Sequence, residues 1–143
     1  MDQRFSFLTL AVADLAASRR FYVDGLGWTP DVEVEDDVVM IKAGPTVVLS
    51  LWNREHFEAE VGPIGWQPGS GVAPFTISYN CRDEAEVDAV LDTARAAAAD
   101  PVHAAEEREW GGYTGYFGDP DGYRWEIAWN PGPIGQAVLP RQD

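Results

Sequence analysis

A single carboxylate, Glu126, stands in a stretch that otherwise favours a buried β-hairpin, from Gly111 to Asn130. Asp119-Pro120-Asp121-Gly122 at its centre is typical of a tight turn, because proline presets φ and glycine accepts a positive φ. Alternation along the second strand places Glu126 and Ala128 on one face and large apolar residues on the other. A carboxylate inside a strand that is otherwise built for burial is therefore a candidate functional group. Exposure on the polar side of an amphipathic strand is the alternative.

The hairpin and the N-terminal segment together resemble the vicinal oxygen chelate superfamily. The motifs are GYFGDPDGYRWEIAWNP and LTLAVADLAASRRFYVDGLGW. This superfamily includes glyoxalase I, extradiol dioxygenases, fosfomycin resistance enzymes and bleomycin resistance proteins. The resemblance implies that Glu126 points into a cup formed by a curved sheet, where the enzymes use the matching Glu as a metal ligand.

Composition limits the partners that the chain can have. The 143 residues are enough for one domain with its own core, and the net charge of -14 repels phosphate backbones and anionic lipid. We therefore expect no nucleic-acid or membrane partner. Cationic ligands would be attracted, although an acidic surface also serves solubility alone. The six tryptophans suit a pocket that stacks on flat or positively charged small molecules.

The chain shows no sign of an exported or membrane-spanning protein. Its first residues have no basic region followed by an apolar run, and no apolar stretch approaches the length of a membrane span. The single Cys81 has no cysteine partner for an internal disulfide or a zinc site. We therefore expect a cytoplasmic protein.

Two halves of the chain show the same order of elements. In the first half, strand 4–12 precedes a helix over 15–24, capped by Asp14 and ended by Gly25, and strands at 30–35, 38–42 and 47–52. In the second half, strand 75–80 precedes a helix over 83–99, a strand at 101–108 and the hairpin. We therefore predict an α+β chain with module one at 1–52, a linker at 53–74, module two at 75–130 and a C-terminal arm at 131–143. The resemblance implies that the two βαβββ modules form a curved mixed sheet, the cup, with helices on its convex side.

The positions that the resemblance assigns to metal ligands mostly hold residues that do not fit a metal. They are Phe7, Phe75 or its neighbour Thr76, and the apolar strand 47–51. Glu126 alone cannot hold a divalent ion that needs three or more protein ligands. We therefore expect no cofactor and no metal. A metal would require that His56 or His103 join Glu126, for example in a dimer that exchanges modules.

The resemblance also identifies candidate ligand-binding residues. Thr114 and Tyr116, the latter ten residues before Glu126, match substrate-contacting positions of the fosfomycin enzymes. Trp110 would lie at the mouth of the cup, and three residues would face it from other strands: Phe7, Thr9 and Phe75. Ordinary core packing is the alternative for the aromatic residues.

Two functions from different classes remain open. The first is a metal-free homodimeric protein that binds an aromatic or cationic compound, as the bleomycin resistance proteins do. The second is an enzyme, either a lyase, isomerase or dioxygenase that recruits metal through Glu126, or a proton-transfer catalyst with Glu126 as base and Tyr116 as acid. A structural Glu126 without a pocket function is a third possibility.

Overall fold

The structure, a computed structural model, describes residue 1 and residues 3–140. The chain divides into two compact units, 1–67 and 68 onward. Each unit contains four strands and a helix between its first two strands, so the prediction of an α+β chain with two βαβββ modules is confirmed.

The first unit is a four-stranded sheet with helices. Its strand order is β1-β4-β3-β2, with β1 parallel to β4 and the other pairs antiparallel. Leu10 and Leu51 are partners in the sheet and lie in the core. The elements are β1 Phe7–Val12, α1 Leu15–Arg19 with a π-helical continuation Arg20–Gly25, β2 Val32–Val34, β3 Val38–Lys42, β4 Val48–Asn53 and α2 Arg54–Val61.

The first helix begins where the sequence predicts and ends later. Asp14 is its N-cap, and its Oδ1 accepts a hydrogen bond from the Ala17 amide at 2.8 Å. The prediction that Gly25 ends the helix in a left-handed conformation was wrong. The helix continues through a wider turn, in which the Leu26 amide donates to the Phe21 carbonyl at 2.9 Å, and the positive φ of 76° falls on Gly27 instead.

The second unit repeats the topology of the first. Its strand order is β5-β8-β7-β6, with β5 parallel to β8 and the other pairs antiparallel. Helix α3 buries Val87, Leu91 and Ala94. The elements are β5 Ile77–Cys81, α3 Glu84–Ala96, β6 Val102–Glu107, β7 Tyr113–Gly118, β8 Arg124–Trp129 and α4 Pro133–Ala137.

The tight turn predicted at 119–122 is present between β7 and β8. The Gly122 amide donates to the Asp119 carbonyl at 2.9 Å, and Gly122 has φ 87°. The Asp119 carboxylate accepts from the amides of Asp121 and Tyr123 at 3.0 and 2.9 Å. This turn fixes the register of the hairpin and so decides which face Glu126 occupies.

Several elements differ from the sequence prediction. Strands β1 and β2, predicted from residues 4 and 30, begin at Phe7 and Val32. The segment predicted as a linker contains helix α2, whose Asn53 cap was not recognised among the many glycines and prolines that follow it. Strand β5 begins at Ile77 rather than at residue 75, and the predicted arm contains α4. In the described part of the chain, no helix is long and apolar enough to cross a membrane.

Candidate functional site

The pairing of β7 with β8 sets the neighbours of Glu126. Tyr116 is its direct partner, so the two side chains lie on the same face of the sheet. On the other side, β5 places Ser78 beside Glu126, and the Ser78 hydroxyl donates to Glu126 Oε2 at 3.3 Å. Glu126 is half-buried, whereas Trp125 and Ile127 on the opposite face are buried. The face predicted for Glu126 is therefore the observed one.

A cavity of about 340 Å³ lies against Glu126 within the second unit. Its lining combines the carboxylate of Glu126 and other polar groups with the exposed apolar side chains of Trp110, Ile134 and Val138. Such a combination of a few polar groups with apolar walls is typical of a small-molecule site. The described lining is Ser78, Asn80, Trp110, Glu126, Ala128, Asn130, Ile134, Gly135 and Val138.

Helix α4 forms one wall of the cavity and is anchored to the end of β8 through Asn130. The Asn130 side chain accepts from the Gly132 amide at 2.9 Å, and its carbonyl accepts from Gln136 Nε2 at 3.0 Å. A Cβ at Gly135 would lie 2.4 Å from the Asn130 carbonyl oxygen, so only glycine permits this approach. The wall is therefore held in place by specific contacts.

Arg108 lies on the Tyr116 side of the site. Its guanidinium carbon is 5.9 Å from the centre of the Tyr116 ring, and its Nε donates to Thr114 Oγ1 at 2.6 Å. Its Nη2 donates to the Thr114 carbonyl at 3.1 Å, and a further ion pair joins it to Glu106. The Tyr116 ring therefore already faces a cation of the protein.

Two of the predicted ligand-binding residues belong to the described lining of this cavity, and the others do not. Trp110 and Glu126 line one cavity, but its described lining includes neither Thr114 nor Tyr116. Thr114 shares the Glu126 face of the sheet but is 1% exposed and bound to Arg108. These positions remain predictions as far as ligand contact is concerned.

The described lining of this cavity does not include the other three predicted residues. Phe75 precedes β5, and its ring centre is 5.8 Å from that of Tyr123. Phe7 and Thr9 belong to β1 of the first unit, where Phe7 is exposed and Thr9 half-buried.

The sequence analysis did not identify the polar lining residues on β5 or the lining residues that α4 contributes. Ser78 and Asn80 alternate on β5, and that alternation, combined with a parallel β5–β8 pair, is the signal that could have revealed them. Asn130 and Ile134 reach the cavity only because α4 folds back onto β8, which no local pattern predicts.

The two histidines have other neighbours in the structure. His56 Nδ1 lies 2.7 Å from Asp37 Oδ1 in the first unit. His103 is exposed on β6 and pairs with Tyr116 in the sheet.

The positions that the resemblance assigns to metal ligands do not fit the metal that the superfamily's enzymes use. Phe7 and Phe75 have no donor atom for a cation, and Glu126 supplies one carboxylate. Among the described residues, no group of three or more His, Cys, Asp or Glu side chains is placed to hold a metal ion. We therefore derive no chemistry through a metal at Glu126.

Comparisons with known proteins agree with this fold. A glyoxalase-related enzyme from Fulvimarina pelagi is 32% identical over 90% of this chain and 89% of its own, with a TM-score of 0.80. The lactoylglutathione lyase from Agrobacterium tumefaciens is 26% identical over 91% of this chain and 96% of its own, with a TM-score of 0.67. A glyoxalase/bleomycin resistance protein/dioxygenase from Nocardioides, 23% identical over 92% and 89% with a TM-score of 0.74, shares the fold.

Comparison with curated protein sequences found no significant match. The family model described as the Glyoxalase/Bleomycin resistance protein/Dioxygenase superfamily matches residues 4–127, which is most of the chain. This protein therefore belongs to the Glyoxalase/Bleomycin resistance protein/Dioxygenase superfamily.

Proposed function

We propose that this protein binds a small aromatic or cationic compound, without a metal, in the cavity between Trp110 and Glu126. The observation that carries the proposal is that the half-buried Glu126 carboxylate and the Trp110 indole line the same cavity. A carboxylate there attracts a cation or a hydrogen-bond donor, and the indole of Trp110 offers a flat apolar surface. The ligand is therefore a flat molecule with a positive or donor group at one end.

The charge of the chain supports a cationic ligand. The net charge of -14 raises the local concentration of cations around the protein. On this face Arg108 lies over the Tyr116 ring and forms an ion pair with Glu106, whereas Glu126 lines the cavity. This arrangement favours a ligand whose charge points to the Glu126 end of the cavity.

Titration calorimetry with a panel of cationic aromatic compounds and their neutral isosteres tests the proposal. We expect Glu126→Gln to weaken binding of the cationic members about tenfold or more and to leave the neutral isosteres nearly unchanged. Glu35→Gln, which changes the same charge at an exposed position of the first unit, is the control. Equal losses in both variants, or no binding by any compound of the panel, would contradict the proposal.

An enzyme of the same superfamily is the second candidate. The direct pairing of Tyr116 with Glu126 favours it, because a base and an acid on adjacent strands can both reach one substrate. In this reading Glu126 takes a proton from a substrate and Tyr116 returns one. A lyase, isomerase or dioxygenase that recruits metal through Glu126 is the alternative form of this enzyme. The similarity to a lactoylglutathione lyase that is 26% identical supports a lyase.

Elemental analysis separates these forms. Wild type and Glu126→Gln are dialysed in turn against nickel, manganese, ferrous iron and zinc. A stoichiometric metal that disappears with Glu126→Gln would replace the binding-only proposal with the metal-dependent enzyme. Tyr116→Phe tests the metal-free enzyme, because it removes the proposed acid and keeps the ring under Arg108.

We also propose that the protein forms a homodimer. Strands β1, β2, β5 and β6 each stand at the edge of their four-stranded sheet, and an edge strand is a surface to which a strand of another chain can add. Light scattering coupled to size-exclusion chromatography measures the mass. A mass near the 15.7 kDa of one chain at all concentrations would refute the dimer.

A further inference from the structure

Asn80 lines the same cavity as Glu126, two residues after Ser78 on β5. Because side chains alternate along a strand, Ser78 and Asn80 lie on the same face of the sheet. Their partners on β8 are Glu126 and Ala128. All four residues belong to the cavity lining, so this pair of strands presents two neighbouring positions to a ligand.

The two positions differ in what they leave for a ligand. At the first, the Ser78 hydroxyl donates to Glu126 Oε2 at 3.3 Å, so two polar groups of the protein already contact each other. At the second, the Asn80 amide stands opposite the methyl group of Ala128, which can neither donate nor accept a hydrogen bond. Within residues 1 and 3–140, no group forms a hydrogen bond with the Asn80 side chain. The donors and the acceptor of this amide are therefore available to a ligand.

The other asparagine of the lining, Asn130, serves the fold instead. Its side-chain oxygen accepts from the Gly132 amide at 2.9 Å, and its backbone carbonyl accepts from Gln136 at 3.0 Å. These bonds hold α4 against the end of β8. Asn80 and Asn130 therefore have different roles, although both line the cavity.

The positions of Asn80 and Glu126 are close enough for one small ligand to contact both. Adjacent strands lie about 4.8 Å apart and two residues along a strand span about 6.6 Å, so these two backbones are about 8 Å apart along the diagonal. The cavity volume of about 340 Å³ is near the lower end of the range for small-molecule sites. A ligand of one or two rings therefore matches both the separation and the volume.

We propose that Asn80 determines specificity by selecting ligands with a carboxamide or lactam group at the end opposite their cationic group. The inference rests on the proposed function, in which Glu126 attracts the cationic end. A carboxamide presents an N–H donor beside a carbonyl acceptor, and the asparagine side chain offers the complementary acceptor and donor. A ketone in the same place lacks the N–H donor and loses one of these two hydrogen bonds. The ligand class is therefore a small aromatic amide with a positive charge.

Calorimetry with two probes tests this specificity. The probes are 4-carbamoylbenzamidine and 4-acetylbenzamidine, which share the cationic amidine and the ring, and in which a methyl group replaces the amide nitrogen. We expect the wild type to bind the carbamoyl probe about fivefold more tightly, the effect of one hydrogen bond. Asn80→Leu, which has a similar shape and no polar atom, should bind the two probes equally.

Two further variants serve as controls. Tyr79→Phe removes a hydroxyl group from the opposite face of the same strand, so it should keep the full preference for the carbamoyl probe. Glu126→Gln should weaken binding of both probes by a similar factor and also keep the preference, because it changes only the contact with the amidine.

Equal affinity of the wild type for the two probes would overturn the role of Asn80 and leave the proposed function standing. This comparison does not depend on how well Asn80→Leu folds. A preference that persists in Asn80→Leu would also overturn the role, since another residue would then recognise the amide. If neither probe binds to the wild type, the inference fails together with the proposed function.

Discussion

The indole of Trp110 lies directly over the backbone of Gly112. A Cβ built on Gly112 would lie 1.8 Å from Cη2 and 2.0 Å from Cζ3 of Trp110, so only glycine leaves room for the ring. The segment that holds both residues is closed by Arg108, whose amide donates to the Gly112 carbonyl at 2.8 Å. Gly112 therefore fixes the ring that forms one side of the Glu126 cavity.

We expect Gly112→Ala to displace the Trp110 indole and to weaken ligand binding while the fold is retained. The loss should be about fivefold, the size of one aromatic contact of about 1 kcal/mol. Calorimetry with the ligand of highest affinity measures it. When Trp110→Ala has already removed the indole, the methyl group added by Gly112→Ala has nothing to displace, so the double variant should bind like Trp110→Ala alone. Additive losses in the double variant would show that Gly112 acts independently of Trp110.

Gly115 should resist substitution for a different reason. A Cβ there would lie 2.5 Å from Leu91 Cδ1 and 2.8 Å from the His103 carbonyl oxygen, and the backbone of β6 cannot move far. We expect Gly115→Ala to lower the free energy of unfolding by roughly 1–3 kcal/mol, as overpacking does. Urea denaturation measures it. Gly44→Ala, whose Cβ meets nothing within 4 Å, should change stability by less than about 0.5 kcal/mol. Similar losses in both variants would contradict this explanation.

Local patterns were enough to predict the face of Glu126 and the order of the elements within each βαβββ module, but not helices α2 and α4. The turn at 119–122 fixes the hairpin register through short-range hydrogen bonds, and side-chain alternation then follows from strand geometry. The role of Arg108 could not be predicted, because its contact with Tyr116 depends on the pairing of β6 with β7. The contacts of Asn130 likewise depend on α4 folding back onto the end of β8. The Pro-Gly-Pro segment does not by itself predict that arrangement.

The thiol of Cys81 should be unreactive in the folded protein. Cys81 is 1% exposed, and burial, with added repulsion from Glu86 and Asp83, raises its pKa from an ordinary value of 9.0 to about 12. We expect an aromatic disulfide reagent at about pH 8 to label it only after urea is added. Rapid labelling of the native protein would contradict the burial of this side chain.

The raised pKa of Cys81 also predicts a loss of stability in alkali. The unfolded chain releases the thiol proton near pH 9, whereas the folded chain holds it until about pH 12. Between these values, unfolding becomes more favourable as the pH rises. Stability is therefore complete below pH 9 and falls as the pH rises, by up to about 1.4 kcal/mol per pH unit from this group. Urea denaturation at several alkaline pH values should show a shallower fall for Cys81→Ala. Parallel curves would refute the linkage.

The lowered pKa of Asp37 predicts a loss of stability in acid rather than in alkali. Its pKa is lowered by hydrogen bonds from His56 and Trp52, so its contribution to stability is complete above its ordinary pKa of 3.8. This contribution disappears as the pH falls through the lower pKa of the folded state. We expect Asp37→Asn to melt at a lower temperature than wild type near neutral pH, and the two melting temperatures to converge in strong acid.

The neighbouring Asp36 provides the control for this measurement. It is exposed and has φ 57°, a conformation that asparagine tolerates, so Asp36→Asn changes the same charge without strain. We expect its melting temperature to follow that of wild type from neutral pH into acid. If Asp36→Asn and Asp37→Asn show the same pH dependence, general charge repulsion rather than the bonds from His56 and Trp52 controls acid stability, because both variants remove one negative charge from the same turn.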